Sequence, residues 1–235
     1  MNQQLSPEAW SCLRGDLENV RVFQDYSELL MGQIERRVLE DKTIPTKEKI
    51  YSIFQPYTEW ISKGKAGVLV ELGVKVCIME DQYQFILHHD VMEKTQDVDV
   101  AVSMVTQTQA HFPSLNSCSF DKGFHSPSNQ VELSTHVDQL VLPKKGKMSA
   151  EEKLKVHAPE YKKVRRRHSA VESAVNALEQ HGLDRCPDHG IDGFKRYAAL
   201  GVLARNLQRI GFMLTEKERA EILRKQRREP YRQAA

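Results

Sequence analysis

Apolar positions follow two periods along this chain, and the periods alternate. Leu13, Leu17, Val20, Ser27, Leu30, Ile34 and Val38, apolar but for Ser27, step by three, four or seven residues. That spacing predicts one long helix over about residues 13 to 41, stopped by the run from Asp41 to Pro45. Lys49 to Phe54 alternates as a strand, halted by Pro56. Lys63-Gly64-Lys65 makes a turn, and Val68 to Met79 reads as a second strand. Phe85 to Met92 pairs back on it through the turn at Glu80-Asp81-Gln82, a hairpin. The helical period returns over Asp97 to His111, with Val98, Ala101, Val105 and Thr108 on one side, and Pro113 ends it.

The second half repeats the alternation. Ser117 to Asp121 is a central strand that ends in a carboxylate, followed by a glycine turn and a helix from about Ser128 to Val137. Ser126 suits the capping position of that helix and Pro127 its first turn. Gln139 to Leu142 forms a further strand, stopped by Pro143. Ser149 and Glu152 have the spacing of a capping box and open a short helix. Val164, His168, Val171, Val175 and Leu178 then mark a longer helix, which Gly182 closes. A Gly-, Asp- and Pro-rich loop from 184 to 193 leads to a helix over about 193 to 211, which packs close to the preceding one. From Thr215 the chain is helical by propensity and too polar to bury. This order is that of an α/β protein, with right-handed crossovers and the Asp121 tip at the C-terminal sheet edge.

Two acids stand out in that frame. Asp121 ends a strand, and Glu172 lies at the border of an apolar helical stripe. Carboxylate oxygens in such places suit a hard divalent cation and Mg²⁺-dependent phosphoryl transfer. Asp90, in the second strand of the hairpin, and Asp97, after it, are set aside as further ligands. Neighbouring His88 and His89 face opposite sides of their strand and cannot share a metal.

The literal stretches Ser117–Asn129 and Arg165–Glu179, with Ser52–Lys65 and Gly182–Gly190, resemble bacterial insertion-sequence transposases of the DDE type over roughly residues 10 to 215. The resemblance implies an RNase H-like core, a mixed sheet flanked by helices, with three acidic ligands for Mg²⁺ or Mn²⁺. Asp121 corresponds to the second and Glu172 to the third, and both are the implied catalytic residues. The strand carrying the first has no counterpart, since Asp16 and Asp25 belong to the long helix. The chain is therefore expected to be the C-terminal part of a transposase, incomplete at the N-terminal strand, and inactive alone. Its implied division is a helical segment over 1–45, a core over 46–215 and a basic tail over 216–235.

The implied partners are insertion-sequence ends and target DNA, with a homodimer or a mixed assembly with full-length transposase. Lys122, Lys144, Lys145, Arg166, Arg167 and His168 are the candidates for DNA phosphates. Some relatives carry Arg where this chain has His168, and Arg166 and Arg167 can substitute for it. Two other classes fit the residues. One is a non-catalytic DNA-binding remnant or regulator; the other is an RNase H-like nuclease outside transposition.

Composition adds little. The formal net charge is +2, so basic residues matter through their clusters. The four cysteines are scattered, which argues against a disulfide framework or a zinc ribbon. Cys186 and His189 alone do not make a tetrahedral site, and Cys77 and Cys118 suit buried positions. No run approaches a membrane span, and a cytoplasmic, nucleoid-associated protein is expected.

Overall fold

The computed structural model describes residues 6–62, 69–144, 146–147 and 149–233, with the side chains of 150, 151, 155, 167–173 and 227–233 outside the description. The chain forms two compact units, Met1–Val74 and Lys75–Ala235. Residues 46–74, expected with the core, thus fall in the first unit.

In the first unit, helix α1 runs over Pro7–Val38. Ser6 caps it by accepting from the Ala9 amide at 3.2 Å, and Pro7 opens its first turn. No residue of α1 is buried, although its apolar stripe is present. Gln33 holds the following segment by a paired bond to one residue: the Ile50 amide donates to its Oε1 at 2.7 Å, and its Nε2 donates to the Ile50 carbonyl at 2.9 Å. This bond explains why Lys49 to Phe54 is not the expected strand. The backbone there bonds to a helix side chain instead of a neighbouring strand. The strand in this region is β1, Glu59–Ser62, antiparallel to β2, Val70–Gly73.

The expected strand from Val68 to Met79 is two strands. β2 ends at Gly73, and β3, Lys75–Glu80, opens the second unit. β3 pairs antiparallel with β4, Ile86–Met92, so the hairpin stands as the sequence predicted. Asp81 shapes its turn, accepting from the amides of Tyr83 at 2.8 Å and Phe85 at 2.9 Å. Helix α2 spans Asp97–His111, the predicted bounds, and buries Val100, Ala101, Met104, Val105 and Thr108.

β5, Ser117–Ser119, and β6, Gln139–Val141, form a parallel pair joined through helix α3, Pro127–His136. Three helices complete the unit: α4, Ala150–His157; α5, Pro159–Leu178; and α6, Gly190–Gln233. α5 runs into a wide π turn over Glu179–Leu183, where Gly182 takes φ 90°. That is left-handed backbone suited to glycine. α6 starts three residues before the expected helix and continues without a break to Gln233. The expected tail is part of it as far as Gln233, and the helix residues from 211 to 226 are exposed.

Adjacent residues of β3 feed opposite sides. Met79 joins the cluster of Met92, Met104, Val105, Cys118, Phe120 and Leu133 with α2. Ile78 packs with Ile86, Leu178 and Val202, the cluster of α5 and α6. Helices thus cover both faces of a strand layer, the arrangement of α/β folds. Gly201 lets α6 close on the π turn after α5: a Cβ there would lie 3.2 Å from Leu183 Cδ1. One expectation fails. β5 is not a central strand, because β3–β4 and β5–β6 are separate two-stranded sheets among the described residues.

Candidate functional site

Asp121 stands two residues beyond β5, in extended backbone, φ −72° and ψ 162°. It precedes one 3₁₀ turn, Lys122–Phe124, and the Phe124 amide closes that turn on the Asp121 carbonyl at 3.2 Å. Strand alternation places Cys118 and Phe120 in the α2 cluster and Ser117, Ser119 and Asp121 on the opposite face. α5 is the helix packed against β5. Asp121 and Lys122 are both exposed.

The loop after Asp121 is held from below. Ser126 caps α3 by accepting from the Asn129 amide at 3.0 Å, with Pro127 in the first turn, as the sequence predicted. Buried Asn129 donates through Nδ2 to the Phe124 carbonyl at 3.0 Å and to the Val98 carbonyl at 2.7 Å. Gly123 allows the close approach on the other side: a Cβ there would lie 2.5 Å from Asp97 Oδ2. Asp97 in turn accepts from Lys75 Nζ at 3.2 Å, at the start of β3. Asp97 thus forms a half-exposed ion pair with Lys75.

A cleft of about 640 Å³ runs between β3 and β5. Val76 to Glu80 line one side and Ser117 to Asp121 the other. Met104 of α2, Phe112 just after it, and Val164 and Val175 of α5 also line it. Glu172 and His168 lie on the α5 stretch between those two valines. The side chains of Glu172, His168 and Arg167 are outside the described residues, as are Lys145 and the turn Lys63-Gly64-Lys65. Arg166 is exposed on α5. Lys144 pairs with Glu152 at 3.0 Å, and Glu152 completes the expected capping box with Ser149.

The cleft holds polar groups that pattern reading missed. Glu80 Oε2 and Ser119 Oγ are buried without a hydrogen-bond partner among the described residues. Burial pushes the Glu80 carboxyl up to about 7, Arg205 and Arg209 pulling it down and Asp81 adding to the rise. Alternation along a strand marks only which face a residue takes, so it gave no sign that Glu80 would be covered by α6. The thiols of Cys77, partly buried, and Cys118, buried, are pushed up to about 12, chiefly by desolvation.

Glu80 carries a pH prediction. Its folded value lies above the unfolded one of 4.5, so the native state holds the proton longer. The contribution is full below the unfolded value and is lost as pH rises through about 7. Urea midpoints of the wild type should fall between about pH 5 and pH 8, and Glu80→Gln should flatten that fall. Parallel profiles for the two proteins would refute it.

Elsewhere, Asp188 accepts from the His189 amide at 2.8 Å and from Arg196 at 3.0 Å, which holds its carboxyl below the usual carboxylate range. Cys186 donates weakly to the Asp188 carbonyl at 3.6 Å. Among the described residues no group of three or more His, Cys, Asp and Glu side chains can hold a metal. No helix among them is long and apolar enough to cross a membrane. No family model, curated protein or solved structure matches the chain, so its own residues are the ground for a functional reading.

Proposed function

We propose that this chain is part of the RNase H-like core of a DDE transposase and contributes the second and third acidic ligands, Asp121 and Glu172. The observation that carries the reading is that Asp121 and the α5 stretch bearing Glu172 border the same cleft, at the C-terminal end of a parallel strand. Sites of α/β sheets gather at that end. The order hairpin, helix, strand, helix, strand and two helices over β3 to α5 supports it further.

Carboxylate oxygens suit Mg²⁺ or Mn²⁺ by their hardness, and Asp121 is exposed at the cleft rim. A bound ion would supply charge stabilisation and a more acidic attacking water. The chain's own part is to hold the DNA. Lys122 sits beside Asp121, where its ammonium can neutralise a phosphate at the cut. Arg166 on α5 and Lys144, once released from Glu152, extend that positive charge. With two of three carboxylates assigned, the chain binds metal and DNA without cutting.

Two measurements test this. Mn²⁺ binding followed by electron paramagnetic resonance should weaken by more than about tenfold in both Asp121→Ala and Glu172→Ala. Equal binding by wild type and variants overturns the metal site. Labelled DNA flanking the gene should bind with an affinity falling about 40-fold between about 50 and 200 mM salt, for roughly three phosphates neutralised. Salt-dependent DNA binding with no Mn²⁺ site would favour the second reading, a DNA-binding regulator of full-length transposase. Mg²⁺-dependent nicking by the wild type, lost in Asp121→Ala, would overturn the assignment of only two ligands.

A further inference from the structure

Helix α1 buries none of its residues, yet it carries an apolar seam with a strict alternation of three- and four-residue steps. Trp10, Leu13, Leu17 and Val20 open the seam, and all four are exposed, Val20 by 61%. Met31, Ile34 and Val38 close it, Met31 exposed by 60% and Val38 by 69%. Gln24 and Ser27 take the two places between. A helix lying on a globular core shows a wider stripe that follows the turn of roughly 3.6 residues. A seven-residue repeat held from Trp10 to Val38 is the pattern of helices that supercoil about one another. The rest of the unit sits on another side of α1. Phe23 meets Phe54 with ring centres 5.7 Å apart, Gln33 binds Ile50, and Arg36 pairs with Glu48 at 2.8 Å.

We propose that α1 of a second copy of this chain covers the seam, running antiparallel in a two-fold symmetric pair. Charge selects this occupant and its direction. Arg14, Arg21, Glu28 and Glu35 each directly follow a seam residue, so they line one flank of it. Two cations followed by two carboxylates complement themselves when the second helix is reversed. Arg14 then faces the partner's Glu35, and Arg21 faces the partner's Glu28. On the other flank the same alignment sets Asp16 against the partner's Arg37, and Phe23 against the partner's Leu30. Arg21 pairs within its own helix with Glu18 at 3.8 Å, both side chains largely in solvent, so exchanging that partner costs little.

The polar seam places fix the register. In the same alignment Gln24 lies opposite the partner's Ser27 in both central layers, so each polar residue meets the other and every other full layer is apolar. A slip of one heptad either way opposes Gln24 to the partner's Val20 or to the partner's Ile34. The same slip brings Arg21 against the partner's Arg21, or Glu28 against the partner's Glu28, and like charges repel. A parallel pair keeps one attraction on each side, Asp16 with the partner's Arg21, and sets Phe23 and Leu30 against carboxylates. One alignment thus satisfies the apolar seam, its polar centre and both flanks. It goes beyond the metal and DNA reading, and it is tested without either ligand.

Sedimentation of the full chain at about 50 μM tests it with two double variants, Arg14→Glu with Arg21→Glu and Glu28→Arg with Glu35→Arg. The wild type should be a dimer. Each variant repels itself along one flank, and its dissociation constant should rise at least about 100-fold. An equimolar mixture of the two variants should dimerise again, because an all-acidic flank then meets an all-basic one. That rescue also shows that neither variant has merely unfolded. Direction is read from nitroxide labels on exposed Cys12, with Cys77 and Cys186 replaced by alanine. The labels should lie about 40 Å apart in an antiparallel dimer, whereas a parallel one brings them within about 25 Å. A monomeric wild type, a dimer indifferent to charge reversal, no recovery on mixing, or the shorter label distance each overturn the proposal. Mn²⁺ binding depends on Asp121 and Glu172 in the other unit, so failure of the α1 pairing and failure of the transposase reading are read separately.

Discussion

Asn206→Ala is expected to lower the unfolding free energy by about 3 kcal/mol, a loss centred on the outer edge of β4. Asn206 grips one backbone residue from both sides. The Ile86 amide donates to its Oδ1 at 2.9 Å, and its Nδ2 donates to the Ile86 carbonyl at 2.9 Å. Those partners lie on α6 and at the start of β4, so one side chain docks the longest helix of the unit against its sheet. Ile86 is only 3% exposed and belongs to the cluster of Leu178 and Val202. Alanine would strand a buried amide and a buried carbonyl together, each costing about 1–3 kcal/mol when unsatisfied. Asn206→Asp keeps the acceptor and loses the donor, so it should fall between wild type and alanine. Urea unfolding checks the series. A loss below about 1 kcal/mol for alanine would show that water reaches both Ile86 groups.

The second large effect is expected at Asn129, and it bears on the site itself. Asn129→Ala should cost about 3 kcal/mol and loosen the turn that follows Asp121. Its amide group donates both of its hydrogens to main-chain carbonyls, one at Phe124 in the turn and one at Val98 in α2. Because both bonds are donated, Asn129→Asp should be as damaging as alanine, unlike the graded series at Asn206. The amides from Lys122 to His125 should exchange faster in either variant. A variant of normal stability and unchanged exchange in the turn would mean that Gly123 against Asp97 holds the loop unaided.

Those two asparagines show where pattern reading stops. The α2 helix was legible to its ends, because its apolar period is long and Pro113 follows it. The hairpin of β3 and β4 was legible because two alternating runs flank a short polar turn. The Ser126-Pro127 start of α3 and the Ser149–Glu152 box were legible because a capped helix end is satisfied by neighbours in sequence. Strands were less so. Lys49 to Phe54 alternates like a strand, yet the paired bond from Gln33 to Ile50 occupies its backbone. Val68 to Met79 reads as one run, but its halves bond to different partners. Alternation reports a face, whereas a strand exists only where a second backbone lies beside it.

The candidate site divides in the same way. Asp121 at a strand end, ahead of a glycine turn and a capped helix, followed from residues within a few positions of one another. So did the helix that carries Glu172. The sequence by itself determined these elements, their order and the chemistry their acids can offer, because periodicity, capping and turn residues act over short stretches. Only the tertiary structure decided that Asp121 and the α5 stretch border one cleft, that Glu80 is half-buried with its Oε2 covered, and that β3–β4 and β5–β6 remain separate pairs among the described residues. Those facts depend on which backbones lie side by side, and a hydrogen bond between residues 120 positions apart leaves no periodic mark on either.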